Sequence, residues 1–284
     1  MDELYEIVAE GDLRNPALVL ALSGWVDAGG SGTGAAEFLA EDGEELVRFN
    51  GDAIFDYRSN RPTIRFREGR MASVEWPAVT MYRRELGDQD LLVMVGNEPD
   101  FRWRAFAEAV SDLMQRYGVE LIITIGAVPA AVPHTYSPPV MTTASSSELV
   151  GEDDVALDDD LDVPGAAVNV VADAAVRRGL GTIGYWAQVP HYVNERYHAG
   201  VLALIRRLAI RLDLEIDTTE LIEKSKEQAA HIDELIASRP ENEAHLERLE
   251  ILAEEGRLAS GDEIADEIER FLNQDSPDDS SGLP

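Results

Sequence analysis

LLVMVGNEPDFRWRAFAEAVSDLMQRYGVELIITIG, residues 91–126, reads as strand, helix, strand. Leu91-Leu92-Val93-Met94-Val95 is apolar without alternation, as a strand buried on both faces requires, and Gly96-Asn97 stops it. From Phe101 to Tyr117, the residues Phe106, Ala109, Val110, Leu113, Met114 and Tyr117 fall on one helical face. Pro99 and Asp100 stand at the start of that helix and Gly118 just past its end, where a C-terminal glycine belongs. Leu121-Ile122-Ile123-Thr124-Ile125, closed by Gly126, is the next buried strand. The order predicts two parallel strands joined by a right-handed crossover.

The same alternation extends in both directions. Ala17-Leu18-Val19-Leu20-Ala21-Leu22 is a buried strand ended by Ser23-Gly24, and a glycine-rich turn leads to a helix around Ala35. Pro164 opens a helix through Val168, Val171 and Val176 to Gly179, and Thr182 to Ala187 is a further strand. Val193, Tyr197, Val201, Leu204, Ile205, Leu208 and Leu212 stripe a long helix over 192–212. Shorter strands at Val47–Phe49, Thr63–Phe66, Val79–Tyr82 and Val140–Thr142 lie between. The expected fold class is therefore α/β, with a mostly parallel or mixed central sheet flanked by helices. Beyond residue 216 the pattern is helical only. Leu221 to Leu235 form one helix, Arg239-Pro240 breaks it, and Leu246 to Leu252 form a second, ending at Gly256. Ser260 with Glu263 is a capping box before a third helix carrying Ile264, Ile268, Phe271 and Leu272. The expected organisation is an α/β core domain over 1–215, a helical appendage over 216–274 and a disordered tail over 275–284.

Composition narrows the function. The 284 residues carry a formal net charge of −31 and no cysteine. Disulfides, thiolate nucleophiles and thiolate metal sites are excluded. An acidic surface repels phosphate backbones and anionic headgroups, so neither nucleic acid nor membrane is an expected partner. No apolar run reaches the roughly 18 residues of a membrane span, and the acidic start lacks a secretory pattern. Cytoplasm is the expected compartment. The lysines are Lys224 and Lys226 only, which leaves none in the body of the chain for Schiff-base or phosphate chemistry.

Ser23 to Gly34 is the most distinctive stretch: Gly24, Asp27, Gly29 and Gly30 sit between a strand and a helix. Its backbone N–H groups can form an anion nest, or the glycines can serve a tight turn and close helix–sheet packing. Neither the P-loop nor the G-x-G-x-x-G order is present. Asn97, Glu98, His134 and His191 also lie just beyond strands, and in an open α/β sheet these carboxyl ends line one crevice where ligands bind. His134 and His191 are acid–base candidates, or hydrogen-bonded turn residues. Arg58 and Arg61, continued by Arg65, Arg67 and Arg70, make a basic segment in an acidic chain. They could clamp an anion or a partner surface, or pair internally. No metal site, cofactor or complete catalytic motif is identified, and an enzyme is the less favoured reading.

Taken together, Ala21-Leu22-Ser23-Gly24-Trp25-Val26-Asp27-Ala28-Gly29, Phe55-Asp56-Tyr57-Arg58-Ser59-Asn60-Arg61-Pro62, Gly96-Asn97-Glu98-Pro99 and Val189-Pro190-His191-Tyr192 resemble the proteasome assembly chaperone 2 family, in its actinobacterial branch. The resemblance implies a fold similar to purine nucleoside phosphorylases over roughly residues 5–270. It also implies a protein-binding or assembly role, with a homo-oligomer and proteasome subunits as partners. The alternative is a small-molecule-binding protein or enzyme, taking a nucleoside- or phosphate-type ligand or acting as an ATP-dependent ligase, with its pocket at the strand ends. Archaeal chaperones of this kind are associated with a C-terminal hydrophobic–Tyr–x tail; Ser281-Gly282-Leu283-Pro284 departs from that pattern, which puts docking by that mode in doubt.

Overall fold

The computed structural model describes residues 3–87, 89–157 and 160–255. In chain order the elements are β1 (Tyr5–Ile7), β2 (Ala17–Ser23), α1 (Ser31–Ala40), β3 (Glu44–Phe49), α2 (Gly51–Ile54), β4 (Thr63–Arg67), β5 (Arg70–Glu75), β6 (Val79–Leu86), β7 (Gln89–Asn97), α3 (Trp103–Tyr117), β8 (Leu121–Ala130), β9 (Val140–Ala144), β10 (Val155–Ala156), α4 (Ala167–Arg177), β11 (Gly181–Pro190), α5 (His198–Leu212), α6 (Thr219–Ala237) and α7 (Pro240–Glu254). Nine strands form one mixed sheet in the order β1-β3-β6-β7-β2-β8-β11-β9-β10, and β4 pairs with β5 apart from it. The centre, β7-β2-β8-β11, is parallel, while β6 joins β7 and β9 joins β11 antiparallel.

Strand β2 shows why the sheet is covered on both faces. Leu18, Leu20 and Leu22 pack with Phe106, Val110 and Leu113 of α3 and Val168 and Val171 of α4. Ala17, Val19 and Ala21 point the other way, onto Ala35, Ala36 and Leu39 of α1 and Leu204, Ile205 and Leu208 of α5. The two-residue period of a strand thus sorts one apolar run into two cores. Leu221 and Ile232 of α6 belong to the second core, and Leu249 of α7 is also buried. No helix among the described residues is long and apolar enough to cross a membrane.

Several boundaries differ from the sequence expectation. Gly126 does not end β8. Parallel pairing with β11 continues from Gly126–Trp186 to Ala130–Pro190, and this ladder carries both strands past the glycine. Gly96-Asn97 likewise lie inside β7, paired with Leu22 and Ser23. Helix α5 starts at His198 rather than Tyr192. The Tyr197 N–H instead donates to the Gly29 carbonyl at 2.7 Å, and Gln228 Oε1 of α6 accepts the His198 N–H at 2.9 Å. The expected helix over 264–272 and the tail over 275–284 lie outside the described residues.

Candidate functional site

Strands β7, β2, β8 and β11 run parallel and end at Asn97, Ser23, Ala130 and Pro190. Every strand-mouth residue singled out in the sequence therefore reaches one edge of the sheet.

At β2 the chain turns through Gly24 and Asp27 and a single 3₁₀ turn before α1. Asp27 bridges Ala127 of β8, which aims its carboxylate at the first turn of α1. Oδ1 accepts the N–H groups of Gly32 at 2.7 Å and Thr33 at 3.1 Å, and Oδ2 accepts the Thr33 hydroxyl at 2.5 Å. The orphan donors of the helix start, which make a glycine-rich loop an anion nest, are thus taken by the chain's own anion. Burial pushes the Asp27 carboxyl up from 3.8 to about 6, opposed by the Thr33 and Gly32 hydrogen bonds. The glycines serve packing here. A Cβ on Gly32 would stand 2.8 Å from Gly126 Cα, and Gly29, at φ +57, lies against Tyr197. Gly30 is half-buried, also left-handed, and precedes the first residue of α1.

At β7, Asn97 Oδ1 accepts the Ala78 N–H at 3.3 Å and Nδ2 donates to Ser23 Oγ at 3.5 Å. Glu98 crosses to the opposite layer, where Oε1 accepts the Ala167 N–H at 2.7 Å, at the start of α4. Burial raises its carboxyl above the ordinary value, with the Ala167 amide opposing. Gly24 packs beside this carboxylate. Two acids at the strand mouths therefore each close a helix start.

The histidines are held from outside the sheet. His134 follows β8 and is buried; its Nδ1 lies 3.0 Å from Tyr192 Oη and its Nε2 3.0 Å from Asp233 Oδ1 of α6. The Tyr192 hydroxyl also accepts the His134 backbone N–H at 2.9 Å. Burial pushes that hydroxyl up to about 12, so it stays protonated. His191 follows β11, with Nδ1 3.4 Å from the Ala130 carbonyl and Nε2 3.3 Å from His245 Nε2 of α7. Thr135 and Tyr136 donate to Glu250 and Glu254 of the same helix. Tyr-His-Asp is an acid–base relay in composition, but the His134 side chain is only 1% exposed.

The structure brings Gly24, Asn97 and Glu98 together, and separately His134 and His191. Among the described residues, no hydrogen bond or ion pair joins Asp27 to either histidine. Nor does any group of three His, Asp or Glu converge among them as a metal site. Arg58 pairs with Asp56 at 2.8 Å and holds its carboxyl down at about 2. The loop carrying them is tied to the sheet edge by Asp100, which accepts from Asp56 N–H at 2.7 Å and Asn60 Nδ2 at 2.8 Å. Arg61 is exposed, without an ion-pair partner among the described residues. Sequence reasoning missed Tyr192, Asp233 and His245 as the partners of the two histidines.

A model of the PAC2 family matches residues 21–236. A Mycobacterium tuberculosis protein of unknown function has the same fold with a TM-score of 0.87 at 29% identity, over 95% of this chain and 97% of that one. A proteasome-assembly chaperone homologue from the same organism gives 0.74 at 29% identity, over 81% of this chain and 99% of that one. An archaeal proteasome activator from Pyrococcus furiosus gives 0.66 at 19% identity, over 81% and 97%, a likeness of fold. No curated protein matches the sequence.

Proposed function

This chain belongs to the PAC2 family, and from that premise we propose that it is a protein-binding assembly factor whose partners are protein subunits, proteasome subunits foremost. The observation that supports this reading is the state of the strand mouths. Asp27, Asn97, Glu98, His134 and His191 each hold a partner from the chain itself. A pocket built to bind a small molecule leaves some convergent polar groups open to it. Large apolar side chains are exposed elsewhere, at Phe66, Met71, Trp76, Leu235 and Ile251. Exposed apolar surface of this kind serves protein contacts. The names of two relatives, a proteasome-assembly chaperone homologue and a proteasome activator, point to the same class of partner.

One feature favours the small-ligand alternative. A cavity of about 520 Å³ lies between the turn at Tyr192–Glu195 and helices α6 and α7, lined by His231, Ile232, Leu235, His245 and Leu246. Native mass spectrometry separates the readings. The protein is mixed with proteasome α subunits, and separately with nucleotides, inorganic phosphate and divalent cations. The assembly reading expects a defined complex with the subunits and no stoichiometric adduct from the small molecules. An adduct that disappears in His245→Ala, without a subunit complex, overturns it.

A further inference from the structure

Strands β4 and β5 form a hairpin that stands outside the main sheet and packs chiefly on itself. Its register places Ile64 opposite Val74 and Phe66 opposite Met71, so these four side chains share one face of the ribbon. That face has no cover: Ile64, Phe66 and Met71 are 49%, 65% and 63% exposed. The other face carries Arg65, Arg67 and Arg70. Arg65 is paired with Glu75, whereas Arg67 and Arg70 have no ion-pair partner among the described residues. Residues 58–76 hold five arginines against two glutamates, a net charge of +3 in a chain of −31. A two-stranded hairpin with an open apolar face is marginal in water, and needs a surface to lie on.

The chain itself offers the complement. Over residues 219–254, ten acidic side chains oppose four basic ones, a net −6. A groove of about 570 Å³ between α6 and α7 has Ile236, Pro240 and Leu246 in its lining, bordered by Glu243, Glu247 and Glu250. Glu250 is engaged with Thr135; Glu243 and Glu247 have no ion-pair partner among the described residues. The apolar Leu235 and Ile251 of these helices are 56% and 51% exposed.

We propose that the β4–β5 hairpin is an arm that docks on the acidic α6–α7 face of a second copy of this chain. Hairpin against hairpin would set arginine against arginine, so the contact is hairpin to helix, exchanged reciprocally in a two-fold dimer or repeated head to tail. Phe66 and Met71 lie on the exposed apolar side chains of the two helices, and Arg67 and Arg70, on the ribbon's other face beside its tip, reach round that tip with their long side chains to Glu243 and Glu247. This goes beyond the assembly role and does not depend on it, since the test contains no proteasome subunit.

The test is sedimentation equilibrium of the full chain and of three double variants: Phe66→Ser with Met71→Ser, Arg67→Glu with Arg70→Glu, and Glu243→Arg with Glu247→Arg. All six positions are exposed, and circular dichroism checks the fold of each variant. The wild type should self-associate, more tightly at low salt, and each variant should weaken this by at least about tenfold. Mixing the arginine-to-glutamate and glutamate-to-arginine variants should restore association with each other. A monomeric wild type, variants that associate as the wild type does, or a mixture that does not re-associate overturns the proposal.

Discussion

If Asp27 is the internal anion of its own glycine-rich loop, replacing it should cost stability in a manner set by geometry and by pH. Asp27→Ala removes the acceptor for three donors at once, at a site 9% exposed. Losing a helix cap and leaving buried N–H groups unpaired costs about 3 kcal/mol. Asp27→Asn is a different perturbation. Its Oδ1 keeps both backbone N–H groups, and the Thr33 hydroxyl can turn to accept from Nδ2, so most of the cap survives. The charge is what changes. The folded carboxyl titrates at about 6 against 3.8 unfolded, because burial disfavours the ion. Between those values the native state holds a proton that the unfolded chain has lost. Stability from this group is therefore full below the unfolded value, falls as pH rises through the window, and is flat above the folded value. From about pH 5 to about pH 7.5 the wild type should lose on the order of 1 kcal/mol relative to Asp27→Asn. Urea unfolding of the three proteins at the two pH values reads both effects, and the Asn reference cancels every other titration. An alanine variant within about 0.5 kcal/mol of the wild type, or an Asp–Asn difference that does not move with pH, refutes the reasoning.

Four further perturbations probe the surrounding structure. Gly32→Ala places a Cβ 2.8 Å from Gly126 Cα, backbone against backbone, and should destabilise by about 2–3 kcal/mol in the same urea assay. His134→Ala removes the ring that joins Tyr192 to Asp233 of α6, leaving the Tyr192 hydroxyl only the backbone N–H of position 134, and should cost about 1 kcal/mol, with faster amide exchange in α6 measured by mass spectrometry. Asp100→Ala frees the Asp56–Asn60 loop, and limited proteolysis should cut there sooner; Arg58→Ala, whose side chain is 87% exposed, should leave the urea unfolding midpoint unchanged.

The central strands were legible because parallel strands covered on both faces leave an unbroken apolar run, and β2, β7 and β8 each have one. Their ends were not. Gly96 and Gly126 read as stops, yet each sits where another backbone approaches too closely for a Cβ: Ala78 beside Gly96, Val26 beside Gly126. The helix expected from Tyr192 failed for a related reason. Val193 and Tyr197 keep a helical spacing while being buried by a turn that closes over Gly29. The glycine-rich loop announced itself, but its occupant did not. A capping aspartate normally stands immediately before a helix, and Asp27 acts across an intervening 3₁₀ turn. The histidine partners carried no local signal, since Asp233 is 99 positions from His134 and only the packing of α6 unites them.

The central claim is that the strand-mouth donors and acceptors are satisfied within the chain, leaving other surfaces to meet protein partners. Hydrogen–deuterium exchange resolved to the amides of Gly32, Thr33, His134 and Ala167 tests it most directly. The free protein is compared with the protein plus proteasome α subunits, and with the nucleotide, phosphate and divalent-cation panel. The account predicts slow exchange at all four amides in the free protein, unchanged by any small molecule, with new protection on exposed apolar surface when subunits are added. Fast exchange at those amides in the free protein, slowed by a small molecule, would contradict it.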